Sequence, residues 1–276
     1  MNLRKLLPIA GIAAAALCHG AVAAPLIDLG GYTGPIEIKF QNYESFSSLP
    51  IAPGSMNFGV VEVTSIQNPN TGANIWVQGQ AGQFLSGVFN GITVTSVTPQ
   101  GSGFITTNSG GVFDFYLNST NFDPSQGTSG YTAGGCAVGG LCYNGITNVG
   151  GTDALNLDLV PGITTDPTNT LSANTTSTTT PLTGSATGYA DIVGGADASQ
   201  FGKGAFPTAL GTFADFFLLD DFCSNGSAPS CTGPTSSDWQ LFSHDPVDAV
   251  AVPEPASLGL LASALLGLGA WVRRRK

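Results

Sequence analysis

Three observations predict an all-β fold. Short runs rich in β-branched and aromatic residues alternate apolar with polar positions. Clusters of Gly, Pro and Asn separate those runs, as in GGYTGP, LPIAPGS, NPNTG and PQGSG. Between the two ends of the chain, no window places helix formers at helical spacing over three turns. Strands spaced in this way point to a β-sandwich or jelly-roll-like ectodomain with long Gly/Thr-rich loops. No fixed-period repeat is present, so neither a propeller nor a solenoid is expected.

The first element is MNLRKLLPIAGIAAAALCHGAVAA. Arg4 and Lys5 precede an apolar stretch from Leu6 to Leu17, and small residues follow at Ala21 and Ala23. This is the plan of a secretory signal peptide, and the apolar stretch is short for a permanent span. Cleavage is expected between Ala23 and Ala24, because a cut one residue later would put Pro25 directly after the scissile bond. Residues 1–23 are thus read as a signal helix handled by the secretion machinery and signal peptidase.

Residues 24–251 form the β-rich extracytoplasmic domain. In IEIKF (36–40), Ile36, Ile38 and Phe40 alternate with Glu37 and Lys39, the pattern of a half-buried strand. FGVVEVTSI (58–66), NIWVQGQ (74–80) and SGVFNGITVTSVT (86–98) follow. In VFDFYLN (112–118), Phe113, Phe115 and Leu117 share one face, and Asp114 and Asn118 take the other. FADFFLLDDF (213–222) and WQLFSHD (239–245) close the series. Two stretches depart from the pattern. Residues 119–152, with GTSGYTAGGCAVGGLCYNG, read as a long Gly-rich loop. Residues 163–187 are biased to Thr, Ser and Asn and read as a linker or a long polar hairpin, with a Thr-rich ribbon as the alternative. Asn118, Asn174 and Asn225 begin glycosylation sequons, which arise easily by chance in a Thr-rich chain.

Charge narrows the function classes. Only Lys39 and Lys203 carry positive charge between Ala24 and Val252, against seventeen acids. Phosphate binding needs Lys and Arg, so nucleic acid is excluded as a partner. After the leader, four cysteines remain: Cys136, Cys142, Cys223 and Cys231. An even number in an exported chain suggests disulfides. Proximity favours Cys136–Cys142 and Cys223–Cys231, and a cross-pairing of the two clusters is the alternative.

Catalytic signals are sparse. His244 is the one histidine after the leader, and it reads as structural or solvent-exposed. A hydrolase would depend on it or on a carboxylate pair, and there is no G-x-S-x-G elbow. The adjacent Asp220 and Asp221 point to opposite faces if they lie on a strand. Asp153, Asn156 and Asp158 offer the oxygen atoms that calcium takes, as do Asp215, Asp220 and Asp221. Neither group matches a known calcium loop, so solvated acids are expected, with no metal and no cofactor. Trp76 and Trp239 are candidate sugar platforms for an alternative carbohydrate-binding reading, with or without calcium.

The tail reads VPEPASLGLLASALLGLGAWVRRRK (252–276). Ala256 to Val272 is apolar, roughly 25 Å of helix at 1.5 Å per residue and at the lower limit for a single transmembrane helix. Arg273, Arg274, Arg275 and Lys276 would stay cytoplasmic and hold the domain outside the inner membrane. Pro253 and Pro255 disfavour a helix upstream and leave an extended, protease-accessible peptide. Pro253-Glu254-Pro255, the short span and the basic cluster together resemble the PEP-CTERM sorting signal. The resemblance covers about the last 25 residues. It implies recognition by an exosortase, a membrane cysteine transpeptidase of Gram-negative bacteria. Pro253, Glu254 and Pro255 would then be the recognition motif, 256–272 a transient anchor, and 273–276 the cytoplasmic stop. It further implies delivery to the cell envelope or extracellular matrix, where such proteins accompany exopolysaccharide, biofilm and floc formation. A non-enzymatic surface or matrix protein with extracellular polysaccharide as partner is the resulting expectation.

Overall fold

The computed structural model describes residues 27–133, 140–146, 151–227, 231 and 238–253. The expected signal helix and membrane helix lie outside them. Among the described residues, no helix is long and apolar enough to cross a membrane. The chain forms β1 (Gly34–Phe46), β2 (Met56–Gln67), β3 (Asn74–Val77), β4 (Phe84–Gln100), β5 (Gly103–Ser109), β6 (Val112–Asn118), β7 (Tyr131–Ala133) and β8 (Leu141–Tyr143). It continues with β9 (Thr152–Val160), β10 (Leu171–Thr175), β11 (Thr183–Gly194), β12 (Phe206–Pro207), β13 (Phe213–Ala214), β14 (Phe216–Ser224) and β15 (Leu241–Ala251).

The main sheet is antiparallel and closes on itself. β1 lies between β15 and β2, β15 pairs with β14, and β14 pairs with β11. β11 then pairs with β9, β9 with β6, β6 with β4, and β4 returns to β2. Eight strands therefore run up and down around a ring, where a two-sheet sandwich or jelly roll was expected. The reason is the β2–β4 ladder, which joins strands that a sandwich would leave at separate edges, while the lengths of β4 and β11 let them pair with further strands. The first half of β4 pairs with β6, and its second half, from Thr93 to Gln100, pairs with β5. β5 then pairs with β10, and β10 with the first half of β11. Both ends of the barrel wall are thus paired without any strand leaving the ring. Such closure removes the exposed edges that an open sheet presents.

Alternation carries the apolar set inward. Ile38 and Phe40 of β1, Val63 of β2, Leu85 and Phe89 of β4, Phe113 and Phe115 of β6, Leu155 and Leu157 of β9, and Phe216 and Leu218 of β14 line the interior. Gly59 is required where β2 crosses β4. A Cβ there would lie 2.2 Å from Tyr43 O and 2.6 Å from the Phe89 ring, its partner in register. One end is plugged by Ile51, Leu182 and Leu241. Ile27 and Leu29 join the interior core, and the Ile27 amide donates to Asp197 Oδ1 (3.3 Å).

The two stretches that depart from the strand pattern are structured. Residues 163–187 contain β10 and the start of β11, which pair as a hairpin from Leu171↔Gly188 to Thr175↔Gly184. Residues 119–152 contain a 3₁₀ turn at Pro124–Gly130, the β7–β8 hairpin and the first residue of β9. The described residues of this segment cover part of the outer face of the barrel. Phe122, Tyr143 and Ile146 pack with Trp239 on the outward residues Tyr43, Val60, Val88, Tyr116 and Phe242. Tyr143 is fully buried, and the Trp239 Nε1–H donates to Pro124 O (2.9 Å). A pattern-based reading missed this second core because Phe122, Tyr131 and Tyr143 stand singly in a polar and Gly-rich stretch, with no period of their own.

Replacing Tyr143 or Trp239 with Ala should cost about 3–5 kcal/mol, comparable to Phe89→Ala inside the barrel. Chemical denaturation is the measurement. A cost below about 0.5 kcal/mol would mark residues 119–146 as a surface loop after all.

Candidate functional site

Among the described residues, Pro253 stands where strand pairing ends. Gly34 pairs with Ala251, and Ala251 also bridges to Phe201 on its other side. The Gly202 amide donates to Val250 O (2.6 Å), and the Val252 amide donates to Gln200 O (2.8 Å). Pro253 is exposed and has no N–H, so the ladder cannot continue through it. A short clasp, Asp197 to Gly202, therefore holds the last strand. The clasp itself is tied to the start of the described chain. Gln200 Nε2 donates to Ile27 O (3.0 Å) and to Asp197 Oδ1 (2.7 Å). Glu254, Pro255, Arg273, Arg274, Arg275 and Lys276 lie outside the described residues, as do Ala23, Ala24 and Cys136.

A second feature is the barrel interior. It encloses a cavity of about 110 Å³ walled mainly by Phe, Leu, Ile and Val. Its polar lining includes Asn42, Glu44 and Asn57. Glu44 is buried and accepts hydrogen bonds from Asn57 Nδ2 (2.9 Å) and from Ser243 Oγ. Burial pushes its carboxyl pKa up, and the hydrogen bonds from Ser243, Asn57 and Asn42 oppose that shift.

A third feature lies on the outer wall. Cross-strand pairing sets Phe242, Tyr43, Val60, Val88, Asp114 and Asn156 in one row across five neighbouring strand pairs. The apolar members lie under the cap, and the row then runs into Asp114 and Asn156. Asp114 is 1% exposed, and neither carboxylate oxygen has a hydrogen-bond partner. Burial, then the charges of Asp153 and Asp158, push its pKa up to about 7. Asn156 Nδ2 donates to Asp153 Oδ2 (3.1 Å), leaving Asn156 Oδ1 and Asp153 Oδ1 without donors. The sequence pattern placed Asp114 on a solvent face. Asp114 is buried all the same, which local alternation could not show.

The other sequence candidates are dispersed. Cys223 and Cys231 form a disulfide, and Cys142 is also disulfide-bonded. Asp153, Asn156 and Asp158 stand on β9, not in a loop. Asp220 lines the interior while Asp221 is exposed, and Asp215 accepts from the Ile192 amide (2.9 Å) and the Gly204 amide (2.6 Å). These three do not form one site. His244 is exposed on β15, across from Gln41 and Asp221. Trp76 and Trp239 are each 1% exposed, so neither is an accessible sugar platform. Asn118 is buried with Nδ2 on Ser86 Oγ (3.1 Å), which removes it as a glycan acceptor in the folded chain.

Residues 251–276 match the family model for the PEP-CTERM protein-sorting motif. No curated protein and no solved structure matches the chain. The chain is thus an exported protein addressed to an exosortase, anchored in the membrane before processing.

Two outcomes follow from this geometry. Removing residues 254–276 should leave the thermal unfolding midpoint of the barrel within a few degrees, since the last paired residue among those described is Val252. Removing residues 249–276 strips the clasp contacts and two buried alanines, and should lower it clearly. For Glu44, a folded pKa above the unfolded value makes its contribution to stability complete below about pH 4.5 and lost as pH rises through the folded pKa. Glu44→Gln should flatten that decline in denaturation curves taken from pH 4 to pH 8.

Proposed function

We propose that this chain is the precursor of a non-enzymatic surface or matrix protein whose barrel is delivered beyond the inner membrane of a Gram-negative cell. An exosortase processes it at the Pro253-Glu254-Pro255 motif, and the released barrel associates with extracellular polysaccharide in biofilm or floc. The observation that carries this reading is that, within the matched motif, Pro253-Glu254-Pro255 starts directly after Val252, the last hydrogen-bonded position among the described residues of the barrel. A protease requires an extended substrate, and the chain up to Val252 is held in the wall on both sides. Cleavage within the motif would leave every strand in place.

The acidic surface supports the reading too. Lys39 sits in an ion pair with Glu37, and the other described cation, Lys203, reaches Ile192 O (3.5 Å). Mutual repulsion keeps such a surface soluble and away from anionic lipid. A carbohydrate-binding module that uses tryptophan platforms is less well supported, because both body tryptophans are buried.

The test is made in the producing bacterium. Changing Pro253, Glu254 and Pro255 together to Ala should leave an unprocessed precursor in the membrane fraction, larger on an immunoblot by the mass of the tail. Deleting residues 252–276 should send the body to the medium and weaken aggregation. Normal surface retention and matrix formation without the tail would rule the proposal out.

A further inference from the structure

We propose that Asp114, Asp153 and Asn156 on the outer wall bind a hard divalent cation of the calcium class. Asp114 and Asn156 are opposite each other in the pairing of β6 with β9, and Asp153 is hydrogen-bonded to Asn156. Four oxygen atoms here lack any donor: both of Asp114 and one each of Asp153 and Asn156. Asp114 is 1% exposed and Asn156 is 6% exposed, so bulk water does not solvate them freely. A buried carboxylate with no donor costs several kcal/mol, and native folds rarely leave one so. A cation would satisfy all four oxygens at once.

The surroundings favour a cation over a side-chain partner. The described basic side chains, Lys39 and Lys203, are engaged with Glu37 and Ile192. Asp158, two residues along β9, adds negative charge. The β11 position paired with Asn156 is Gly194, so no side chain fills that end of the row. On β4, Asn90 stands two residues from Val88 and diagonal to Asp114, and its Nδ2 is buried without a partner, so the opposite amide orientation would present Oδ1 instead. Among the described residues, no three Asp, Glu, His or Cys side chains converge to hold a metal. The protein's share is therefore two carboxylates and one or two amide oxygens, with water completing the six to eight oxygens calcium takes. So few charged ligands place the affinity with extracellular modules, at about 10⁻⁴–10⁻³ M. That suits a protein working outside the cell.

The experiment uses the full chain in detergent. About 10 mM CaCl2 should raise the thermal midpoint by about 3–10 °C relative to EGTA, and MgCl2 should do less. Terbium should bind with luminescence sensitised by Tyr116, which is paired with Asp153, and calcium should displace it. Asp114→Asn should weaken calcium at least tenfold while leaving the metal-free chain as stable or more stable. Asp221→Asn, an exposed acid on another strand, should change neither. No calcium response in the wild type overturns the proposal, and so does a response that survives Asp114→Asn. Stability that depends on pH but not on calcium means that Asp114 is simply protonated, which also overturns it.

Discussion

The ladder between β2 and β4 is the pairing on which the rest of this fold depends. It runs from Met56↔Thr93 to Glu62↔Ser86 and joins two strands that a sandwich would place at separate edges. Once it forms, alternate residues of eight strands face a common interior, and the apolar set has nowhere else to go. Gly59 makes the contact possible, because the Phe89 ring lies where any side chain would stand. Backbone closure and core packing are thus one event.

Closure leaves an outer wall to be managed. Part of it carries Tyr43, Val60, Val88 and Phe242, which would be an exposed apolar stripe without a cover. The segment between β6 and β9 supplies that cover, anchored by Tyr143 and Trp239. Asp114 is buried in the same cross-strand row, beyond Val88, and that burial gives the outer wall its unusual electrostatics. Burial of Glu44 has a different origin: it is an inward position of β1, near the plugged end of the barrel.

Legibility followed the physics of each feature. Strands with clear alternation, such as β1 and β6, were readable because one face is buried and the other is not. β9 was not read as a strand, and β10 with the start of β11 was legible only as a polar hairpin or ribbon against a linker, since Gly, Thr and Asn blur the period there. Asp153, Asn156 and Asp158 were visible as a group of oxygen donors. Their most buried companion, Asp114, is about forty residues earlier in the chain and meets them only through the register of β6 and β9. The nearby cysteine pair Cys223–Cys231 needed only proximity.

By itself, the sequence determined the β class, the acidic exported character and the sorting address. These rest on composition, local alternation and a contiguous motif, none of which needs long-range contacts. The tertiary structure alone decided that the sheet closes, that a glycine-rich segment becomes a second core, and that the last strand is clasped up to the residue before Pro253. Each of those depends on which distant strands pair and in what register, and local pattern carries no record of that choice.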